Sequence, residues 1–184
     1  MADQAVGKLS PYLRRRRIAA AVPHLSGRVL DYGCGIGALA DIIPPGRYTG
    51  VDADGESLDM AKRLHPAHRF YRPDTAAVKD GAFDSIALLA VLEHINDRIE
   101  FLRGLGALLA EKGKIVLTTP GPLAGPVHAA GSRMGLFSRE AAEEHGTLVG
   151  FSEMERLARA AGFRITLKKR FLLGMNQLFV LEKA

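Results

Sequence analysis

The sequence predicts an α/β fold in which a doubly wound, mainly parallel sheet carries helices on both faces. Short apolar runs alternate with segments of helical periodicity, as they do where buried strands are joined by crossover helices. Gly and Pro residues lie at the ends of many of these runs and mark where the elements end. Seven runs are predicted to be strands: Arg28–Tyr32, Tyr48–Asp52, His68–Arg72, Phe83–Leu89, Lys114–Thr119, Phe163–Lys169 and Gln177–Glu182.

Helical patterns separate most of these strands. The first helix carries apolar residues at helical spacing from Leu9 to Val22 and is ended by Pro23. Ser152, three residues before Glu155, is predicted to cap the last helix, which stops at Gly162. The other helices are predicted over Leu39–Ile43, Ser57–Leu64 and Arg98–Leu109.

The last two predicted strands are joined by Phe171–Asn176 alone. Because this connection has no room for a crossover helix, the two strands are predicted to pair antiparallel. The regular pattern is lost between residues 120 and 150, where Gly, Pro and Ala dominate. That stretch is too long for an ordinary connection, which predicts a lid or substrate loop.

The strongest motif is the segment Val29–Gly37, VLDYGCGIG, a strand that ends in an acid and runs into three alternating glycines. The glycines let the backbone turn sharply and approach a ligand, and a helix that follows offers free N–H groups. Such a loop binds a nucleotide-like cofactor. Since Gly33, Gly35 and Ala38 also satisfy the dinucleotide fingerprint, the loop alone leaves the cofactor open.

Acidic residues follow three successive strands, whose carboxyl ends meet at one edge of a parallel sheet. Asp31 precedes the first glycine, where a carboxylate suits the cationic amino-acid portion of S-adenosylmethionine better than a pyrophosphate. Asp52 is placed to accept hydrogen bonds from the ribose hydroxyls. Asp74 is placed to accept one from the adenine amine. Asp31 therefore favours S-adenosylmethionine, whereas an acid at the position of Asp52 suits the ribose of either cofactor.

These motifs together resemble the class I methyltransferases, in particular the ubiquinone-biosynthesis-like "type 11" group. The resemblance covers Gly27–Ala184 and implies a Rossmann-like sheet of seven strands with the last one antiparallel. It also implies S-adenosylmethionine as methyl donor and adenosylhomocysteine as product. Besides the glycine segment, it rests on Gly50–Asp52, Phe83–Ile86, Val91–Ile95, Thr118–Pro120 and Ala161–Phe163.

The resemblance also implies a set of cofactor contacts. Asp31, Gly33 and Gly35 would line the methionine end, and Leu89 and Ala90 would lie close to the sulfonium. Asp52 would bind the ribose and Asp74 the adenine. The full predicted set is Asp31, Gly33, Cys34, Gly35, Gly37, Asp52, Ala53, Asp74, Thr75, Leu89 and Ala90.

The pair Glu93-His94 resembles a motif that, in some relatives, binds a divalent metal together with a glutamate three residues earlier. Here that position is Ala90, which removes a hard oxygen ligand, so no metal is expected. A general base is needed only where the acceptor is poorly ionised. His145, late in the predicted loop, is the first candidate for that role, ahead of His94 and His128.

The length of 184 residues suits one hydrophobic core, so we expect a single methyltransferase domain. Its parts are an N-terminal helix (1–26), a cofactor-binding core (27–119), the substrate loop (120–150) and a C-terminal helix with a strand pair (151–184). No apolar run reaches the roughly 20 residues of a membrane-spanning helix. The N-terminus lacks the apolar segment of a secretory signal, which favours a cytoplasmic location. The lone Cys34 is expected to be a packing residue.

The net charge of +5 is divided between the first helix and the C-terminal third, which argues against one nucleic-acid-binding face. Arg14–Arg17 are interpreted as a solvated helix face, with contact to a phosphorylated or acidic substrate as the alternative. No aromatic residues interleave with them. The expected acceptor is a small molecule, lipid headgroup or saccharide, methylated on oxygen. The oligomeric state is left open.

Two other functions compete with methyl transfer. An NAD-dependent oxidoreductase would use Gly33, Gly35 and Ala38, but after Thr119 too little chain remains for a separate substrate region. A non-catalytic binding protein on a methyltransferase scaffold is the other alternative, because a fold does not fix a function. The presence of all three acids and all three glycines argues against it.

Overall fold

A computed structural model describes residues 10–79, 81–121 and 149–184. Its seven-stranded sheet has the order β3-β2-β1-β4-β5-β7-β6. The pairs among β1 to β5 are parallel, and β7 runs antiparallel to both β5 and β6. The predicted mixed sheet with an antiparallel last strand is confirmed. The strands are β1 (Val29–Tyr32), β2 (Tyr48–Val51), β3 (Arg69–Tyr71), β4 (Phe83–Leu89), β5 (Leu109–Pro120), β6 (Phe163–Phe171) and β7 (Asn176–Lys183).

The α-helices of the described residues are α1 (Ser10–Ala21), α2 (Gly55–Leu64), α3 (Ala76–Lys79), α4 (Arg98–Leu108) and α5 (Phe151–Ala160). Two of them begin at an acidic cap. The Asp54 carboxylate accepts hydrogen bonds from the backbone N–H groups of Glu56 and Ser57. Asp97 accepts one from Glu100 N–H. Such caps satisfy donors that the first turn of a helix leaves free.

Three details of the predicted helices are wrong, the first being that α2 begins at Gly55 and not at Ser57. The segment predicted as a helix over Leu39–Ile43 forms only a 3-10 turn, Ala38–Asp41. Gly37 before it is left-handed, with φ of 84°, and Pro44 after it disfavours helical backbone in the preceding residue, so only one turn fits. Ser152 is not the cap of α5, because the helix already begins at Phe151, whose ring packs against Phe179 in the core.

Strand alternation sends apolar side chains to both faces of the sheet. Leu30, Ile86 and Ile115 lie in one cluster with residues of α4 and α5. On the opposite face, Val29 and Ala87 pack in a cluster with residues of α1 and α2. A third cluster, around Val116, adds the end of α1 on the β5 and β7 side. Helices therefore cover both faces, as predicted.

Residues 122–148 make up most of the predicted substrate loop (120–150) and lie outside the described residues, as do His128 and His145. The loop and the role of His145 stay predictions. Across the described ranges, no helix is both long enough and apolar enough to cross a membrane.

Candidate active site

A cavity of about 310 Å³ opens at the carboxyl edge of the sheet, between β1 and β4. The loop after β1, the end of β4, α1 and Ser57 of α2 all contribute to its wall. In open α/β sheets, ligands bind at this edge, where neighbouring crossovers diverge. Six of the predicted cofactor residues line the cavity: Asp31, Gly33, Cys34, Gly35, Leu89 and Ala90.

The glycine loop is held under the cavity by two hydrogen bonds from its backbone. The N–H groups of Gly33 and Cys34 both donate to the carbonyl oxygen of Val51, at 2.7 and 3.0 Å. Gly33 must be glycine because a Cβ there would lie 2.4 Å from a methyl group of Val91. Gly35 has φ of 51°, and a Cβ there would meet no atom of the described residues within 4 Å. The space above Gly35 is therefore open to a ligand.

Asp52 lies beyond the tip of β2 and fastens the glycine loop from that side. Its Oδ2 accepts a hydrogen bond from Gly35 N–H at 2.7 Å, and its Oδ1 accepts one from Asp54 N–H at 2.9 Å. Each carboxylate oxygen retains a further lone pair, because a carboxylate can accept about four hydrogen bonds. The same side chain can thus hold the loop and accept two hydroxyl groups.

Asp31, the acid of the glycine-rich motif, is only 4% exposed. Its Oδ2 accepts a hydrogen bond of 2.8 Å from the hydroxyl of Tyr48. Burial raises the pKa of Asp31 to about 7, and the negative charge of Asp52 adds to the rise, while the Tyr48 hydrogen bond opposes it. A cation placed in the cavity would favour the ionised form of Asp31.

Residues 6–168 of the chain match the family model described as a methyltransferase domain. The chain belongs to this family. A ubiquinone biosynthesis O-methyltransferase of Xanthomonas campestris pv. campestris is 33% identical over 112 residues, which are 55% of this chain and 46% of that protein. A second such enzyme, from Xanthomonas axonopodis pv. citri, is 32% identical over 117 residues. The chain spans about half the length of these curated relatives.

Solved structures share the fold of this methyltransferase domain. A putative O-methyltransferase of Nostoc punctiforme superposes with a TM-score of 0.70 at 24% identity, covering 95% of this chain and 58% of that one. An S-adenosylmethionine-dependent methyltransferase of Mesorhizobium loti superposes with a TM-score of 0.67 at 17% identity, over 95% and 97% of the two chains. The resemblance to class I enzymes is confirmed, and S-adenosylmethionine is the cofactor of the family.

The cavity fits this cofactor in two respects. The open space above Gly35 admits a ligand against the backbone, and an added Cβ would fill it. The buried carboxylate of Asp31 is chemically suited to an ammonium group, and Asp52, beside the glycine loop but outside the described cavity lining, is suited to a pair of hydroxyls. The domain thus has an acceptor for the ammonium group of this cofactor and a second acceptor for its hydroxyl groups.

The other predicted cofactor residues lie apart from the cavity wall. Gly37 closes the loop, and a Cβ there would lie 2.9 Å from the Phe70 ring. Ala53 and Asp74 are exposed, beyond β2 and β3. Thr75 donates its N–H to the Arg72 carbonyl oxygen in the turn after β3. Their roles toward the adenosine portion stay predictions.

Ala90, directly after β4, has an unusual backbone conformation for a residue with a side chain. Its φ is 61°, in the left-handed region, and its N–H donates to the carbonyl oxygen of Thr118 at 3.0 Å. Left-handed alanine costs of order 1–2 kcal/mol, so the surrounding structure must enforce it. The strained backbone of Ala90 is therefore part of the cavity wall, next to the predicted position of the sulfonium.

The predicted base His94 is exposed at the end of a 3-10 turn, Leu92–His94, and is absent from the described lining of the cavity. Its neighbour Glu93 is more enclosed. Glu93 Oε2 is buried without a hydrogen-bond partner among the described residues, and burial raises the pKa of Glu93. Of this pair, Glu93 is therefore the more enclosed residue, and the role of His94 stays a prediction.

Arg14, Arg15 and Arg16 are exposed, as interpreted, whereas Arg17 is half-buried. Arg14 and Arg17 line the cavity, together with Ile18. These three residues are spaced i, i+3 and i+4, which places them on one side of a helix. The spacing in the sequence therefore identifies the side of α1 that these three residues share, and it separates Arg14 and Arg17 from Arg15 and Arg16.

Proposed function

We propose that this methyltransferase domain transfers the methyl group of S-adenosylmethionine to a hydroxyl oxygen of a small molecule, lipid headgroup or saccharide. The observation that carries the proposal is the cavity formed by the glycine loop, Asp31 and Ala90 at the carboxyl edge of the sheet. The names of the curated relatives, which are O-methyltransferases, support oxygen as the methylated atom. A cytoplasmic location belongs to the same proposal.

The residues divide the work of binding. Asp31 holds the ammonium group of the donor, and Gly35 leaves room for its amino-acid portion. Asp52 accepts the ribose hydroxyls, while Ala53, Asp74 and Thr75 contact the adenine. When bound, the donor would supply a methyl group whose bond to the sulfonium sulfur breaks as the acceptor oxygen bonds to the methyl carbon, and the electron pair of the broken bond stays on sulfur.

The protein's own contribution is mainly positional. Methyl transfer is an in-line displacement, so Leu89 and Ala90 accelerate it by fixing the angle at which an acceptor oxygen approaches. A rigid wall suits that task, and the hydrogen bond from Ala90 N–H to Thr118 ties the wall to β5. The proton of the acceptor passes to solvent or to a base such as His145 when the hydroxyl is poorly ionised.

Two features of the structure weigh against the dinucleotide alternative. A pyrophosphate needs the N-terminus of a helix, whereas the glycine loop is followed by a 3-10 turn of four residues. Asp31 lines the cavity beside the loop, where a carboxylate repels a pyrophosphate dianion.

The proposal is tested by incubating the protein with methyl-labelled S-adenosylmethionine and a small-molecule extract of bacterial cells. We expect label in a product whose methyl carbon, assigned by NMR, is a methoxy group. Asp52→Ala should abolish the transfer. Asp59→Ala is the matched control, because Asp59 is an exposed acid of α2 whose one ion pair within the described ranges is with Lys62, at 3.8 Å. Label on nitrogen or carbon would contradict the oxygen assignment, and no label would contradict the activity.

A further inference from the structure

We propose that the methyl acceptor carries an anionic group, a carboxylate or a phosphate, and that Arg17 binds it. The inference rests on the proposed function, since it concerns the acceptor of that same reaction. It would place Arg17 among the residues that determine specificity.

Arg17 is held in one orientation at the cavity wall. Its Nε donates to Oδ1 of Asn176 at 2.9 Å, and Asn176 is only 3% exposed at the start of β7. Within the described ranges, the two terminal nitrogens of the guanidinium have no hydrogen-bond partner. A guanidinium fixed through Nε presents its remaining donors as a planar fork, which matches a carboxylate or a phosphate.

The charge around Arg17 is incompletely balanced. Burial lowers the pKa of Arg17, the nearby charge of Arg14 lowers it further, and the negative charge of Glu93 opposes both effects. Burial also raises the pKa of Glu93. Among the described residues, the cavity lining contains two arginines and one acid, Asp31. A buried cation is stabilised by a paired anion, and a bound ligand can supply one.

The strand order places the anchor of Arg17 on the far side of the cavity from the glycine loop. The loop follows β1, and Ala90 follows the neighbouring β4, whereas Asn176 lies on β7, two strands beyond β4. Adjacent strands are about 4.8 Å apart, so the anchor lies about 10 Å from β4 on the side away from β1. An anion held from that side lies past the predicted position of the sulfonium, where the acceptor must enter.

The donor carries a carboxylate of its own, so the test must separate the two sources. The first step measures the affinity for adenosylhomocysteine by calorimetry in the wild type, Arg17→Gln, Arg17→Lys and Arg16→Gln. Arg16 is the matched control, because it is an exposed arginine of the same helix and its loss changes the net charge equally. The affinities of all four proteins should agree within about twofold.

The second step incubates the same four proteins with methyl-labelled donor and the bacterial small-molecule extract, and fractionates the labelled product by anion exchange. Wild type and Arg16→Gln should label a product that the resin retains. Arg17→Gln should lower that labelling by about tenfold or more through a raised KM, which corresponds to about 1.4 kcal/mol. Arg17→Lys keeps the charge and should restore part of the loss.

Several outcomes would overturn the inference. If adenosylhomocysteine binds about tenfold more weakly to Arg17→Gln, Arg17 serves the carboxylate of the donor. A labelled product that is neutral or cationic, or an acidic product formed equally well by Arg17→Gln, would also overturn it. If Arg17→Gln fails to fold, Asn176→Ala replaces it as the test, because this variant removes the residue that anchors Arg17. Equal labelling by wild type and Asn176→Ala would then overturn the inference. Failure of the wild type to bind adenosylhomocysteine refutes the proposed function itself.

Discussion

The hydroxyl of Tyr48 donates a hydrogen bond of 2.8 Å to the buried carboxylate of Asp31, across the neighbouring strand. The Tyr48 ring reaches Asp31 because Gly50 has no side chain; a Cβ on Gly50 would lie 2.9 Å from the tyrosine oxygen. The hydrogen bond from Tyr48 on β2 thereby fixes the position of Asp31, which also lines the cavity. Three predictions depend on this arrangement and on the loop beside it.

Asp31→Asn should stabilise the ligand-free protein, increasingly so as the pH rises. Burial raises the pKa of Asp31 from 3.8 to about 7, so the folded state favours the protonated form. Its contribution to stability is complete below about pH 4 and is lost as the pH rises through about 7. The gap in Tm between Asp31→Asn and wild type should therefore widen between pH 4.5 and pH 8, measured by thermal unfolding. A gap that narrows over this range would refute the raised pKa.

Tyr48→Phe should destabilise the protein by about 1–3 kcal/mol, because it leaves a buried carboxylate oxygen without its donor. Tyr71→Phe is the control, since Tyr71 is a partly buried tyrosine outside the described lining of the cavity. Urea unfolding at pH 8, where Asp31 is ionised, measures both variants. Equal losses for the two would mean that the Tyr48 hydroxyl contributes nothing specific.

Gly35→Ala and Gly33→Ala should fail in different ways. A methyl group at Gly35 meets open space in the cavity, so it should weaken adenosylhomocysteine binding about tenfold or more, with a stability loss of about 1–2 kcal/mol from the left-handed backbone. A methyl group at Gly33 collides with Val91, so that variant should lose stability above all. Calorimetric titration and urea unfolding of both variants separate the two effects. A Gly35→Ala variant that binds normally would place the ligand elsewhere.

Much of the sheet was predictable because its signals are local. The apolar runs of β1 and β4, and the glycines that end β1, are continuous in sequence, and each specifies its own backbone. The antiparallel end of the sheet followed from the short Phe171–Asn176 connection. The 3-10 turn at Ala38–Asp41 was missed, since the left-handed Gly37 limits its length and no periodicity reports that.

The contacts that shape the cavity were not predictable from local patterns. Tyr48 and Asp31 are 17 residues apart, and Arg17 and Asn176 are 159 residues apart. Each pair meets only because the strand order brings β2 beside β1, and α1 over the start of β7. No local pattern in the sequence indicates a hydrogen bond between such distant elements. The sequence therefore does not distinguish the hydrogen-bonded Arg17 from the exposed arginines beside it.

The most direct measurement of the central claim is thermal unfolding of the purified protein with adenosylhomocysteine, S-adenosylmethionine or NAD. A ligand at about 100 times its Kd stabilises a protein by roughly 2.7 kcal/mol, which raises the Tm of a chain of this size by about 5–10 °C. The account predicts this shift with the first two ligands, no shift with NAD, and its loss in Asp52→Ala but not in Asp59→Ala. A shift with NAD alone, or with none of the three ligands, would contradict it.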